Sequence, residues 1–228
     1  VDGIKNVDLV IAGAGWCGMG TAAGFCGSIQ GVLPKDEQNY GSKELPSFIV
    51  LESGNCVGGF WNSQYARLHF HSIYHRLPFA SSIRANYPPH LSKDNIVSYF
   101  KDYASYFQFS SNIKCNSKVS QVRKLPEENK PYEWEILIKD KENPDMDIKY
   151  HCKFLSISTG FHRVPKLPNI PGISLFEGDC IHSSGYYDGS KFKDKRVLVI
   201  GAGNSAIDII MDLYEFGAIP EISIRSTR

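Results

Sequence analysis

The sequence predicts an α/β fold in which two strand, glycine loop, helix, strand units flank a small antiparallel β layer, the second unit being incomplete. Three observations carry this reading. A short apolar run at 9–12 leads into Gly13-Ala14-Gly15-Trp16-Cys17-Gly18, and the arrangement returns where 196–200 leads into Gly201-Ala202-Gly203-Asn204-Ser205-Ala206. Between them, 118–124, 132–139 and 148–158 read as strands, with the period-two alternation of half-exposed antiparallel strands at 134–136 and 148–152. A chain of 228 residues with 42% apolar and 21% charged content has enough apolar surface for a core and is not a disordered sequence.

In the first unit, 9–12 has the continuous apolarity of a strand covered on both faces. The glycines that follow have separate tasks: Gly13 makes the turn, Gly15 lets backbone amides approach a pyrophosphate, and Gly18 lets helix and strand pack closely. The start of the helix then holds the anion with its dipole and unpaired N–H groups. A second strand, 48–51, ends in Glu52, a carboxylate placed to accept from ribose hydroxyls. Glu52 lies 39 positions after Gly13 rather than the usual gap of about 20, so a loop insertion is expected around 31–47.

In the second unit, 196–200 is the strand, 207–216 the helix and 221–224 the next strand, which leads to Arg225 with Arg228 close by. A guanidinium where the first unit has a carboxylate favours a 2′-phosphorylated nucleotide over a bare ribose diol. Both units are therefore Rossmann-like, the first suited to FAD and the second to NADP. Pro126 and Pro144 separate the middle strands; 95–107 has helical spacing with Ser92 or Asp94 as its cap. Pro165, Pro168 and Pro171 make a stiff connector and set the division at 1–166, the FAD unit with its β insert, and 167–228, the N-terminal part of the NADP unit.

Charge and cysteine usage narrow the function classes. Lys and Arg total 25 against 24 Asp and Glu, a net charge of +1, so no basic field for nucleic acid or anionic membrane is present. The apolar stretch 7–25 holds Asp8 and glycines at 13, 15, 18, 20 and 24, which argues against a membrane-spanning helix. The first residues lack an apolar stretch behind a basic start, and the cysteines at 17, 26, 56, 115, 152 and 180 form no CxxC; a reduced, cytoplasmic protein is expected. His69, His75, His90, His151 and His162 show no ligand spacing, and no metal is expected.

The segment Phe176-Glu177-Gly178-Asp179-Cys180-Ile181-His182-Ser183-Ser184-Gly185-Tyr186 has the form FxGxxxHxxxY, just ahead of the second glycine loop. With Gly58-Gly59-Phe60-Trp61, Thr159-Gly160 and Ile170-Pro171-Gly172, it makes the chain resemble the flavin-containing monooxygenase family from Val7 to Arg228. Leu68-His69-Phe70-His71, Tyr87-Pro88-Pro89 and Arg225-Ser226 are similar to the plant-type, indole-3-pyruvate monooxygenase (YUCCA-like) branch. Animal members carry asparagine at the position of His71. Tyr186-Tyr187-Asp188 departs from the tryptophan-containing form of the Baeyer–Villiger enzymes.

The resemblance implies that NADPH reduces FAD, and that a C4a-hydroperoxyflavin formed with O2 passes one oxygen atom to a small amine, sulfide or 2-oxo acid. It implies FAD on Gly13, Gly15, Gly18 and Glu52, with Gly59, Phe60, Trp61, Phe70, His71, Val119, Thr159 and Gly160 also contacting cofactor. NADP would lie on Gly201, Gly203, Asn204, Ser205, Ala206 and Arg225. His71 is the candidate catalytic residue, and His182 is expected to be structural.

A strand–helix–strand fragment does not complete a doubly wound sheet, so a C-terminal polypeptide completing the fold is expected, and a homo-oligomer stays open. Alternatives are a Baeyer–Villiger ketone monooxygenase and a non-catalytic FAD- and NADP-binding fragment. A flavin disulfide reductase would need a close cysteine pair beside the flavin, whereas Cys17 and Cys26 stand nine positions apart.

Overall fold

A computed structural model describes residues 3–29, 46–71, 87–140, 147–160 and 164–225. The insertion over 31–45, the Pro144 break, His75, His162 and Arg228 lie outside the described residues. The elements in chain order are β1 (Lys5–Ala12), α1 (Trp16–Ile29), β2 (Phe48–Leu51), α2 (Lys93–Tyr106), β3 (Ile113–Lys114), β4 (Ser117–Lys124), β5 (Trp134–Asp140), β6 (Asp147–Ile157), β7 (Arg196–Ile200), α3 (Asn204–Glu215) and β8 (Ile219–Ser223).

One six-stranded sheet runs β3-β2-β1-β6-β5-β4, and a separate parallel pair joins β7 to β8. β1 runs parallel to β2 and to β6, and β5 runs antiparallel to both β4 and β6. The antiparallel layer expected as a separate insert is thus continuous with the parallel sheet. β6 makes the join: its first half pairs with β5 from Asp147 to Cys152, and from Tyr150 onward it pairs with β1. The two-residue β3 carries no periodic pattern of its own and is a strand only because it meets the end of β2.

The pattern of β1 explains its place. Leu9 and Ile11 face the helices, joining Met19, Ala22, Ala23, Ile96, Tyr99, Phe100, Tyr103 and Phe107 in one cluster. Val10 faces the other way, with Leu51, Ile136, Ile138, Tyr150 and Cys152. Both faces of β1 are therefore dry, which is why its sequence is apolar without alternation. α2 turns Ile96, Tyr99, Phe100 and Tyr103 inward, and its cap is Ser92, whose Oγ accepts from Asn95 N at 3.3 Å.

The second pair of strands is covered differently. Val197 and Val199 pack beneath Ile209 and Leu213 of α3, whereas Leu198 and Ile200 are exposed. β7 thus shows an apolar sequence with only one face covered in this chain. Tyr65, Leu68 and Tyr186 join Ile209, Leu213 and Ala218 in this same, third cluster. Within that cluster Tyr186 donates to Asp212 at 2.5 Å, both residues being buried. Burial and the Asp212 carboxylate push the Tyr186 phenol well above its ordinary range, so it remains a donor.

Two glycines fix how α1 seats on β1. Gly13 sits at φ +110°, and a Cβ there would come within 2.4 Å of the Ser158 carbonyl oxygen. A Cβ on Gly18 would meet the Gly13 carbonyl oxygen at 1.8 Å. Gly18→Ala should therefore destabilise the protein by about 3 kcal/mol, the upper range for overpacking, measured by denaturant unfolding. Tyr186→Phe should lower stability by about 2 kcal/mol in the same assay, because it leaves a buried carboxylate without its phenol donor.

Candidate functional site

The carboxyl ends of β1, β2 and β6 lie side by side. Gly13 N donates to Leu51 O at 2.8 Å, and Ser158 N donates to Ala12 O at 2.9 Å. In an open parallel sheet this edge is where ligands bind, and the first glycine loop, Glu52 and Thr159-Gly160 all lie along it. Thr159 and Gly160 are exposed.

Gly15 differs from its two neighbours in the motif. A Cβ built on it would meet no atom within 4 Å, so packing within the chain does not require glycine there. The open space stands over the start of α1, where backbone amides and the helix dipole favour an anion. Glu52 is only 5% exposed. Its Oε2 accepts from Ala14 N at 2.8 Å, and its Oε1 accepts from Gly54 N at 2.7 Å and from the Ser53 hydroxyl at 3.2 Å. The carboxylate thus ties the end of β2 to the glycine loop, and Oε2 keeps a further acceptor site. Ser117 N donates to Glu52 O at 2.8 Å, which brings the start of β4 to this place; Val119, two residues on, is partly buried against the Val10 and Leu51 cluster. These residues fit a dinucleotide whose pyrophosphate lies over Gly15 and whose ribose lies by Glu52.

Residues 58–71 form a strap across the loop. Gly58 N donates to Ala14 O at 2.9 Å, and a Cβ on Gly59 would come within 3.2 Å of the Gly15 Cα. Trp61 packs on both the helix-side cluster and the α3 cluster. Phe70 stacks on Trp16 with ring centroids 4.8 Å apart and meets Trp61 edge-on at 5.2 Å. Phe60 and His71 are exposed. The strap is pinned to α2 by Phe70 N donating to Leu91 O and Lys93 N to Leu68 O. Trp16 escaped the sequence reading because it occupies a variable position of the glycine motif.

At its far end the strap meets α3. Tyr65 donates to Asp208 Oδ2 at 2.8 Å, His71 Nε2 lies 3.3 Å from the same oxygen, and Arg67 pairs with Glu215. Together with Asp212 bound by Tyr186, the three acids of α3 after its first turn all find partners outside the helix. Tyr65, Asp208 and Asp212 were missed in the sequence. The signal available was a pair of carboxylates four residues apart in an otherwise apolar helix, which asks for partners on one face.

The second glycine loop resembles the first in detail. Gly201, at φ +117°, donates to Ser223 O at 2.9 Å, tying the ends of β7 and β8. A Cβ on Gly203 would meet nothing within 4 Å, as at Gly15, and Gly203 is the N-cap of α3. Ala206, in the position of the third glycine, is buried. Asn204, Ser205 and Arg225 are exposed, and Arg225 follows two residues after β8 ends. A second phosphate-bearing nucleotide fits here. His182 is an N-cap: its Nδ1 accepts from Ser184 N at 3.1 Å, the structural role expected of it. Among the described residues no group of His, Cys, Asp and Glu has metal-binding geometry, and no helix is long and apolar enough to cross a membrane.

Comparison with known proteins agrees with this geometry. The flavin-binding monooxygenase-like family matches residues 71–227. The probable indole-3-pyruvate monooxygenase YUCCA8 of Arabidopsis thaliana is 31% identical over 224 residues, covering 96% of this chain and 47% of the relative. The chain spans about half the length of the curated relatives it matches. Among solved structures, S-allyl-L-cysteine S-oxygenase from Allium sativum superposes with a TM-score of 0.77 at 19% identity, covering 99% of this chain and 52% of that one. A cyclohexanone monooxygenase variant from Rhodococcus sp. Phi1, bound to NADP+, gives 0.70 at 21% identity over 98% of this chain and 40% of that one. These structures share the fold, and the sequence match over nearly the whole chain decides the family: the chain belongs to the flavin-binding monooxygenase-like proteins.

Proposed function

We propose that the first glycine loop holds FAD and the second NADPH, in an NADPH-dependent monooxygenase that transfers one atom of O2 to a small amine, sulfide or 2-oxo acid. The observation that carries this is the strap, which touches the first loop at Gly58 and Gly59 and α3, the helix opened by the second loop, at Tyr65. Two nucleotide cradles joined by one short segment suit a reaction passed between two nucleotides. The 2-oxo acid class is favoured by the names of the relatives, several of them indole-3-pyruvate monooxygenases at about one-third identity.

FAD, when bound, supplies hydride acceptance and oxygen activation. The chain's own residues supply place and dryness. The backbone around Gly13, Gly15 and Gly18 holds the pyrophosphate, and Glu52 accepts from the ribose. Phe60, Trp61 and Phe70 keep water from the flavin side, while His71 presents an imidazole nitrogen at the same edge. Val119, Thr159 and Gly160 line the FAD site, and Gly201, Gly203, Asn204, Ser205 and Ala206 cradle the second nucleotide, with Arg225 on its 2′-phosphate.

The division into 1–166 and 167–228 belongs to this proposal, supported by the connector, where Val164 and Leu167 stand exposed. So does a completing polypeptide, since Leu198, Ile200 and Ile219 present an apolar surface on the outer side of β7 and β8 that further protein would cover. A cytoplasmic setting fits six free thiols, two of which, Cys26 and Cys152, are pushed up to about 11 by burial.

The purified protein should carry FAD, identified by chromatography after denaturation, and its flavin absorbance should bleach anaerobically with NADPH; a colourless protein that takes up no added FAD would sink the proposal. Gly15→Ala should leave unfolding stability within about 0.5 kcal/mol and yet weaken FAD binding about tenfold or more, because the new methyl enters the space meant for the pyrophosphate. Arg225→Ala should raise KM for NADPH about tenfold and leave that for NADH unchanged, reflecting the loss of a charge-assisted bond to phosphate.

A further inference from the structure

We propose that Asp208 is the positioning residue of this site: its Oδ2 holds the Tyr65 phenol and the His71 imidazole together, and so joins α3, the helix opened by the second nucleotide cradle, to His71. The inference rests on the FAD and NADPH reading above and adds a residue to it.

The argument starts from the position of Asp208 within α3. It is followed by Ile209 and Ile210, and its side chain is 15% exposed. A carboxylate so sheltered needs partners. It finds both on one oxygen, Tyr65 Oη at 2.8 Å and His71 Nε2 at 3.3 Å. The neighbouring acids on α3 are engaged elsewhere, Asp212 by Tyr186 and Glu215 by Arg67, and Lys93 Nζ donates to Gln64 O at 3.0 Å. Asp208 is therefore the acid that receives His71.

Proton bookkeeping then fixes the imidazole. Tyr65 is 2% exposed, and burial together with Asp208 pushes its phenol well up, so it stays protonated and gives its single proton to Asp208. Ionised Asp208 only accepts, so an attractive contact requires the proton of neutral His71 to sit on Nε2. Nδ1 is then the acceptor that His71 offers.

The link is a pair of side-chain contacts on one oxygen, Tyr65 to Asp208 and His71 to Asp208. A mere strut between strap and helix would hold the two together and leave the state of His71 indifferent to Asp208. The two cases separate experimentally.

On flavin-loaded protein labelled with 15N-histidine, at a pH above the ordinary imidazole range, the His71 Nε2–H should be protected from exchange and visible by NMR. It should vanish in Asp208→Ala and persist in Asp208→Glu. NADPH-driven flavin reduction should slow about tenfold in Asp208→Ala and in His71→Ala alike, and the double variant should be no slower than His71→Ala alone. Multiplicative losses in that cycle, or an Nε2–H signal indifferent to Asp208, would overturn the proposal. Should Asp208→Ala fail to fold, Asp208→Asn keeps the shape and is judged by the same two readouts. If the wild-type protein takes up no FAD, the monooxygenase reading falls, and the same NMR comparison made on the flavin-free protein still decides the Asp208–His71 coupling.

Discussion

The architecture depends on a close backbone-to-backbone contact between two glycine turns. The turn at Gly58 and Gly59 lies directly on the first glycine loop, with Gly58 N bonded to Ala14 O and the Gly59 position pressed against Gly15. Because both partners are bare backbone there, the strap enters the site at a fixed height over the start of α1. Everything that follows in the strap, from Trp61 through Tyr65 to His71, inherits that placement. Gly15 is the informative exception within the loop, since none of the described residues fills the space a methyl would take. Gly13 and Gly18 answer to Ser158 and to each other.

The sheet serves this contact in an economical way. β6 is long enough to change partners, closing the antiparallel meander with its first half and the parallel edge beside β1 with its second. The meander's Ile136, Ile138 and Tyr150 close one face of β1, and the helices close the other. With both faces dry, the ends of β1, β2 and β6 are held rigidly in register, and rigid strand ends are what a precise loop needs. Glu52 adds an electrostatic tie at that edge, bonded to the amides of Ala14 and Gly54.

The join between strap and α3 is of a different kind. It consists of acids on one helix, each met by a donor from elsewhere: Asp208 by Tyr65 and His71, Asp212 by Tyr186, Glu215 by Arg67. Sheltered carboxylates of this sort contribute little net stability when satisfied and cost much when stripped of a partner. They act as registers, fixing one seating of α3 against the strap among several that apolar packing alone would permit. The terminal tyrosine of the FxGxxxHxxxY segment is part of that register, and His182 in the same segment caps a turn.

The sequence alone determined the two glycine loops, the strands that feed them and the helices that follow, because glycine spacing and apolar periodicity are local signals fixed by backbone sterics and burial. The same pattern placed Glu52 at the end of the second strand, while the FxGxxxHxxxY segment carried the family, and the resemblance in turn implied Gly59, Trp61 and Phe70 beside the cofactor. Tertiary structure decided the rest. β3 exists only through β2, the antiparallel layer joins the main sheet only through the length of β6, and β7 has one exposed apolar face although its sequence reads as buried. Tyr65 and Asp208 lie 143 positions apart, and Trp16 and Phe70 stack across the strap. Such pairs leave no periodic trace, since a hydrogen bond or a ring contact between distant segments depends on how the chain returns to itself rather than on what lies beside each residue.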